Sequence, residues 1–300
     1  MELGKIVNRS FEIAWKYKWL WIFGMFAAGT GFNLKLEYLL GTSPTNPFDM
    51  QQPQNINMSD ILALYAGLIP IIIIFGFLMV LAKGAIIDSV YKIERGGTFS
   101  FSTAFSAGVD NFLKFLGLGI IFIVVWFAYI IIGILIFSIL FAISKAFAFI
   151  CAILAFFISF LFLISLSQIV SLAQRVVVLR NSGILDAISE GYQLFKMYFG
   201  KNIGAFFILF AFGIIFSIST FILWLMVNFP INSVIEALNL KSFFAMMAAL
   251  IMGLPISFVL AGLIGLFSEA FMTIFYIELV ELQAQESTIT QPPQINMSSE

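Results

Sequence analysis

Six apolar runs, each close to the length of a membrane-spanning helix, place the strongest limit on the fold of this chain. A bilayer core of about 30 Å takes roughly 20 helical residues to cross. Backbone groups in lipid must be hydrogen-bonded within the chain, so each run is expected to be a helix. The runs are 19–34, 61–83, 115–140, 147–172, 203–227 and 246–270. The sequence therefore predicts an all-α, polytopic integral membrane protein with six transmembrane helices.

The composition agrees with this class and excludes several kinds of chemistry. Hydrophobic residues make up 61% of the 300 residues and charged residues 10%, whereas a soluble domain has about 25% charged residues. The absence of histidine excludes catalytic triads and histidine-bearing zinc or haem sites. With a net charge of −1, no nucleic-acid partner is expected. No motif indicates a catalytic, cofactor-binding or metal-binding residue, so the chain is not expected to be an enzyme.

The basic residues predict how the chain lies in the membrane. All but three of the 15 fall in the stretches 1–18, 83–114 and 175–201, while Lys35, Lys145 and Lys241 lie in the alternating connections. Cytoplasmic loops collect lysine and arginine. We therefore expect a multi-pass protein of the cell membrane with a cytoplasmic N-terminus, and an even number of spans returns the C-terminus to the cytoplasm.

A secretory signal peptide is an alternative interpretation of the first run, because Ala27-Ala28-Gly29 resembles a cleavage site after a short apolar core. The preceding segment argues against it. Apolar residues there recur at helical spacing opposite charged ones, and the leader of a signal peptide is rarely an amphipathic helix.

Two basic stretches align without gaps at a constant offset of 83 residues. The matching residues are Ala104, Ser106, Gly108, Phe112 and Gly117 with Ala187, Ser189, Gly191, Phe195 and Gly200. Apolar residues recur three or four apart in both stretches, which is typical of a helix lying on the membrane interface. Gly96-Gly97 and Asn181-Ser182-Gly183 precede these helices and predict where the helices before them end.

This pattern predicts three repeats, each an interfacial amphipathic helix followed by a transmembrane hairpin. The repeats span about 1–95, 96–180 and 181–280, which together form a membrane domain over 1–280. From 281 to 300, Gln, Ser, Thr and Pro replace apolar residues, and the composition predicts a disordered polar tail.

Glu269 is the strongest candidate for a functional residue, because ionisable residues within spans are rare and costly. Arg175 or Lys83 is its expected partner if the sixth helix continues to Leu279. The plainer interpretation is an interfacial acid at the end of a span, in which case Glu269→Gln should leave folding unchanged.

Gln168 is the second candidate, because it forms a polar patch with Ser165 and Ser167 on the fourth span. Hydrogen bonds between helices are a sufficient explanation of that patch, and a substrate pathway is the alternative. Glycines in the third and sixth spans are expected to allow close helix contact rather than to bind a ligand. They are Gly117, Gly119, Gly262 and Gly265.

Three segments carry a resemblance to a known family: RSFEIAWKYKWLWIFGMF at 9–26, AKGAIIDSVYKIERGGTFSFSTAFSAGVDNFLKFLG at 82–117 and RVVVLRNSGILDAISEGYQLFKMYFGKNIG at 175–204. They resemble a widespread prokaryotic family of six-span proteins. The family includes the membrane domain associated with glycerophosphoryl diester phosphodiesterases. The resemblance implies a fold but no activity, because the phosphodiesterase chemistry of such relatives belongs to a separate soluble domain that uses carboxylates and histidines.

Two functions are compatible with these observations. The first is a non-catalytic membrane protein that organises lipids or a membrane or cytoplasmic partner protein through its cytoplasmic amphipathic helices. Basic residues near the surface attract anionic headgroups by about 1 kcal/mol each. The alternative is a transporter or permease for a lipid-like or apolar solute. Its nearly charge-free spans argue against coupling to ions or protons.

Overall fold

The computed structural model describes residues 2–28, 58–98, 100–237 and 242–290, and every regular element in these ranges is helical. The chain begins with α1 (Leu3–Lys16), a single 3-10 turn (Lys18–Leu20) and α2 (Trp21–Ala27). Five long helices follow, separated by two short ones. In chain order they are α3 (Met58–Glu94), α4 (Phe101–Asp110), α5 (Phe112–Ile143), α6 (Lys145–Arg180), α7 (Ile184–Met197), α8 (Phe199–Ala237) and α9 (Ser242–Thr290).

The long helices provide the membrane spans. Within the described ranges, five segments are long and apolar enough to cross a bilayer: Ile73–Glu94, Phe112–Ile143, Lys145–Arg180, Phe199–Leu223 and Phe258–Thr288. They overlap the second to sixth predicted spans. The first predicted span, 19–34, begins in the 3-10 turn and continues through α2, and its residues from 29 onward lie outside the described residues. The chain is thus a helical, multi-pass membrane protein.

Each long helix continues beyond the apolar run that predicted it. The largest difference is at the end of α9, which continues to Thr290. The predicted disordered tail, 281–300, was therefore wrong for 281–290, and 291–300 lie outside the described residues. The sequence Glu-Leu-Gln-Ala-Gln-Glu at 281–286 explains the difference, because all of these residues are good helix formers. A hydrogen bond from Tyr198 Oη to Glu286 Oε2, 3.0 Å long, also holds this end of the helix.

The helix ends predicted from glycine and asparagine are confirmed. Helix α3 ends at Glu94, and Gly96 has a φ of 74°. Helix α6 ends at Arg180, and Asn181 has a φ of 51°. These are left-handed conformations, which terminate helices and which glycine and asparagine adopt at little cost.

Helices α3, α6 and α9 contact one another and form the inner layer of the bundle. Of an 18-residue apolar stretch in α9, 67% is buried, against none of the corresponding stretches in α5 and α8. Buried residues concentrate toward the C-terminal ends of the inner helices α3, α6 and α9. On α9 they include Phe267, Phe271 and Phe275, which stack along the helix. Elsewhere on the long helices, most described apolar side chains are exposed, as expected of surfaces that lipid covers.

Each short helix packs against one inner helix. Helix α4 lies against α3, α7 against α6, and α1 against α9, while α2 also packs along α9. Small residues allow these close approaches. A Cβ atom built on Gly84 of α3 would lie 3.2 Å from Gly108 Cα of α4, and one on Gly191 of α7 would lie 3.0 Å from Ala173 N of α6.

The glycines of the third and sixth spans behave differently from one another. Gly262 and Gly265 of α9 meet the backbone of α2 at Trp21 and Gly24, which confirms the predicted close contact. Gly117 of α5 approaches only the side chain of Ile184. The prediction was wrong for Gly119, since no atom of the described residues lies within 4 Å of a Cβ built there.

Candidate functional site

Three charged side chains, one from each inner helix, meet where these helices converge. Glu269 of α9 accepts from Arg175 of α6, with Nη2 and Oε2 2.5 Å apart. Lys83 of α3 approaches the other carboxylate oxygen, with Nζ 3.6 Å from Oε1. The partners expected for Glu269 are therefore both present. We refer to Lys83, Arg175 and Glu269 as the charge cluster.

The helices themselves hold the two central groups in place. Arg175 Nη1 donates to the carbonyl oxygen of Ser171 at 2.7 Å and to its hydroxyl at 2.8 Å, both one turn earlier on α6. Thr273 Oγ1 donates to the carbonyl oxygen of Glu269 at 2.7 Å. Arg175 Nε, by contrast, has no hydrogen-bond partner among the described residues. The guanidinium is oriented by two partners and keeps one donor unused.

The members of the charge cluster differ in how deeply their side chains are buried. The side chain of Arg175 is 1% exposed and that of Glu269 is 11% exposed, while 22% of the Lys83 side chain is accessible. Glu269 is thus buried and paired between three helices, and α9 continues past it, while its interfacial depth stays a prediction. Buried ions cost several kcal/mol each unless they are paired. Glu269→Gln is accordingly expected to destabilise the fold, contrary to the expectation from the sequence.

Gln168 lies on α6 two turns before Arg175 and is also buried, at 4% exposure. Its Oε1 atom has no hydrogen-bond partner within the described part of the chain. The predicted hydrogen bonds between helices do not form at its neighbours. Ser165 donates to the carbonyl oxygen of Leu161 and Ser167 to that of Ile164, both within α6, because a serine hydroxyl reaches its own preceding turn most easily.

A second candidate surface lies on the outer side of α1 and the turn after it. Phe11, Trp15 and Trp19 expose 46%, 57% and 73% of their surfaces. The rings of Phe11 and Trp15 stack with their centroids 6.3 Å apart, and Lys18 Nζ lies 5.9 Å from the centroid of the Trp15 ring. We call these three aromatic residues, with Lys16 and Lys18 beside them, the aromatic–lysine surface. Tryptophan near lysine is typical of side chains at a membrane–water interface.

The other two short helices also expose apolar side chains away from the bundle. On α4 these are Phe101, Phe105 and Val109, which follow one another at four-residue spacing. On α7, Leu185 and Tyr192 are exposed in the same way. Each short helix thus buries small or apolar residues against an inner helix and presents a second apolar side to its surroundings.

Polar contacts tie the basic ends of the helices together. Arg9 Nε of α1 donates to Glu94 of α3 at 2.7 Å, Arg180 of α6 pairs with Glu190 of α7 at 2.6 Å, and Arg95 lies 3.6 Å from Glu281 of α9. Hydrogen bonds to Glu94 and Glu12 raise the pKa of Arg9, which stays a cation. Exposed pairs of this kind contribute about 0–1 kcal/mol each.

Two polar grooves lie beside these contacts. One is lined by Asp88 and Lys92 of α3 together with Thr103, Ser106 and Asp110 of α4. The other is lined by Arg180 of α6, by Gln283 of α9 and by polar residues of α7, which are Asp186, Ser189, Glu190 and Gln193. Neither groove contains a set of metal ligands: in the described ranges, no three His, Cys, Asp or Glu side chains are grouped to hold a metal ion.

No family model, curated protein or solved structure matches this chain. The resemblance to a six-span family therefore stays a prediction. Fold and composition define only the class of protein, which is a multi-pass helical membrane protein. The function has to be argued from the charge cluster and from the surfaces of the short helices.

Sequence reasoning found part of the candidate site. The rarity of charges within spans pointed to Glu269 and its two possible partners. It did not show that both cations reach one carboxylate, because this depends on how three helices pack. The aromatic–lysine surface was also missed. The spacing of Phe11, Trp15 and Trp19 was visible, but it did not show which side of α1 would face the bundle.

Proposed function

We propose that this protein is a non-catalytic integral membrane protein that organises anionic lipids of the cytoplasmic leaflet, and partner proteins there, through three interfacial helices. The observation that carries the proposal is the second apolar side of the short helices, above all the exposed Trp15 and Trp19 next to Lys16 and Lys18. Such a surface contacts the acyl boundary with its rings and headgroups with its ammonium groups.

A threefold repeat supports the proposal. In each proposed repeat, the short helix packs against the inner helix that ends the preceding repeat, and α1 closes the circle on α9. The two polar grooves follow the same rule. Thr103, Ser106 and Asp110 of one groove correspond, at the offset of 83 residues, to Asp186, Ser189 and Gln193 of the other. This correspondence supports a common side of the membrane for α4 and α7, and the packing of α1 on α9 extends the same proposal to α1.

The proposed orientation has a direct test by site-specific labelling. In a Cys151→Ala background, cysteines at 92 and 180 are expected to react with a membrane-impermeant maleimide only from the cytoplasmic side. A cysteine at 145, in the connection between α5 and α6, should react only from the opposite side. Reaction of positions 92 and 180 from opposite compartments would refute both the orientation and the repeat.

The lipid proposal is tested by removing the aromatic–lysine surface. The variant Trp15→Ala/Lys16→Ala/Lys18→Ala/Trp19→Ala, purified in mild detergent, is expected to retain far less anionic lipid than the unmodified protein. Loss of two lysines alone amounts to roughly a thirtyfold loss of affinity, at about 1 kcal/mol each. The measurement is the ratio of anionic to zwitterionic lipid bound per protein, determined by mass spectrometry.

A matched control lies at the start of α6, on the opposite side of the membrane in the proposed orientation. Lys145→Ala/Phe147→Ala/Phe149→Ala removes a lysine and two aromatic side chains that are 52% and 69% exposed, and the lipid ratio should stay unchanged. If this control loses as much anionic lipid as the α1 variant, the α1 surface has no special role and the proposal is wrong.

Transport of a lipid-like or apolar solute is the second candidate, and the charge cluster favours it, since it is a polar centre between three otherwise apolar helices. The same preparations decide between the two. In liposomes, an organising protein leaves lipid scrambling and solute flux at the protein-free rate. A higher rate that falls in Glu269→Gln would establish transport instead.

A further inference from the structure

We propose that the charge cluster is a binding site for one singly charged anion of the phosphate class, which Lys83 contacts directly. The phosphodiester of an anionic lipid headgroup and inorganic phosphate share this chemistry. This site lies in the interior, where α3, α6 and α9 meet. It is distinct from the aromatic–lysine surface on α1.

The charge balance of the cluster is the first argument. Arg175 and Lys83 bring two positive charges to the single carboxylate of Glu269. Asp88, the acidic residue that follows Lys83 on α3, is bound to Lys92 with Nζ and Oδ2 2.6 Å apart. The described contacts thus leave one formal positive charge in excess. An uncompensated charge in a partly desolvated site is costly, and a bound anion removes that cost.

The unused donors are the second argument. The distance of 3.6 Å between Lys83 Nζ and Glu269 Oε1 is too long for a hydrogen bond, so this contact leaves the ammonium hydrogens of Lys83 without a close acceptor. Phosphate oxygens accept strong, charge-assisted hydrogen bonds from an ammonium group of this kind. Arg175 Nε also lacks a partner among the described residues, but Arg175 is buried, so this donor is not assigned to the anion. Gln168 Oε1 is an acceptor, so it is not assigned to the anion.

Access distinguishes the roles of the two cations. Arg175 is 1% exposed and held by Ser171 and Glu269, so it cannot reach a molecule outside the bundle. Lys83 keeps 22% of its side chain accessible. The anion accordingly meets Lys83, while Arg175 fixes Glu269 in place and so keeps the carboxylate from moving closer to the ammonium group.

The depth of the cluster suits a headgroup. Gly108 of α4 approaches α3 at Leu81 and Gly84, on either side of Lys83, and Gly191 of α7 approaches α6 at Ala173, near Arg175. The cluster therefore lies at the level of two short helices. This step rests on the proposed interfacial position of α4 and α7, which would put Lys83 within reach of lipid phosphates rather than at the bilayer centre.

The test uses the full chain in a neutral detergent. Short-chain phosphatidylglycerol and inorganic phosphate are titrated separately, and binding is followed by native mass spectrometry and by the rise in Tm. Saturable binding of phosphatidylglycerol alone identifies a lipid headgroup as the ligand, and binding of phosphate alone identifies the free anion. Either result supports the site, whereas no saturable binding of either probe overturns it.

Lys83→Met is expected to weaken that binding about tenfold, which corresponds to loss of one charge-assisted contact. Lys83→Arg should restore it, and size-exclusion chromatography shows whether both variants are folded. Lys145→Met, at the far end of α6, is the matched control and should change the affinity less than about twofold. Equal losses in Lys83→Met and Lys145→Met would overturn the site.

Each of the two proposals can be refuted without the other. If the α1 variant retains its lipids but Lys83→Met loses the titrated anion, only the surface proposal is wrong. If the α1 variant loses its lipids and Lys83→Met binds the anion normally, only the interior site is wrong.

Discussion

Glu269→Ala is expected to reduce the free energy of unfolding by about 3–5 kcal/mol, the range found when one partner of a buried ion pair is removed. The reason is that Arg175 would keep its charge in a site where it is 1% exposed, and Lys83 would lose the same carboxylate. Reversible unfolding in mixed detergent micelles measures this loss. Glu269→Gln, which keeps the shape of the side chain, should also be clearly destabilised.

The matched control is Glu281→Ala on the same helix. Glu281 lies 3.6 Å from Arg95, and both side chains are more than half exposed, at 55% and 58%, so its loss should cost about 0–1 kcal/mol. Equal losses for the two variants would show that burial does not strengthen the cluster. The pair Arg175→Met/Glu269→Leu should recover most of the stability, because an apolar replacement leaves no unpaired ion at these two positions.

Gly265→Ala is expected to cost about 3 kcal/mol or more, at or above the upper end of what overpacking in a core usually costs. The added Cβ would overlap the carbonyl oxygen of Gly24 and lie 2.9 Å from Ala28 N, so backbone rather than a flexible side chain would have to move. Helix α2 would then separate from α9. The Tm in detergent should fall accordingly, and cross-linking between cysteines introduced in α2 and α9 should decrease.

Gly213→Ala on α8 is the control for this substitution. No atom of the described residues lies within 4 Å of a Cβ built at Gly213, and alanine is the better helix former, so stability should be unchanged or slightly higher. Should Gly265→Ala prove as harmless as Gly213→Ala, the close contact between α2 and α9 would be refuted.

The spans could be predicted from the sequence because an uninterrupted apolar run has few alternatives to a helix. Their ends could not. Helical hydrogen bonds continue wherever residues favour them, and 281–286 do so in spite of being polar. Which helices lie inside was also not predictable, since α5 and α9 are both apolar on all sides. The small residues Ala261, Gly262 and Gly265 lie on the packed surface of α9, but α5 contains glycines as well.

The sequence could predict the part of the candidate site that follows from the rarity of charged residues within spans. A carboxylate within a span needs a partner, and few cations are available to it. The burial of Arg175 could not be foreseen, because α6 ends only five residues later, at Arg180, in what reads as an ordinary basic loop. Burial there accompanies the packing of α9 against α6, which brings Glu269 to Arg175 and is a property of the tertiary structure.

The docking of α1 and α2 on α9 also has a consequence for biosynthesis. The ribosome makes the first two helices long before the last one, and domains are completed in the order of synthesis only when their contacts are local. Here the earliest segments must wait for the final span, and Lys83 and Arg175 are synthesised before the carboxylate that pairs with them. Glu269 is consequently the residue whose insertion completes the assembly, so a chain stopped before it would be left with two unmatched cations and an undocked N-terminus.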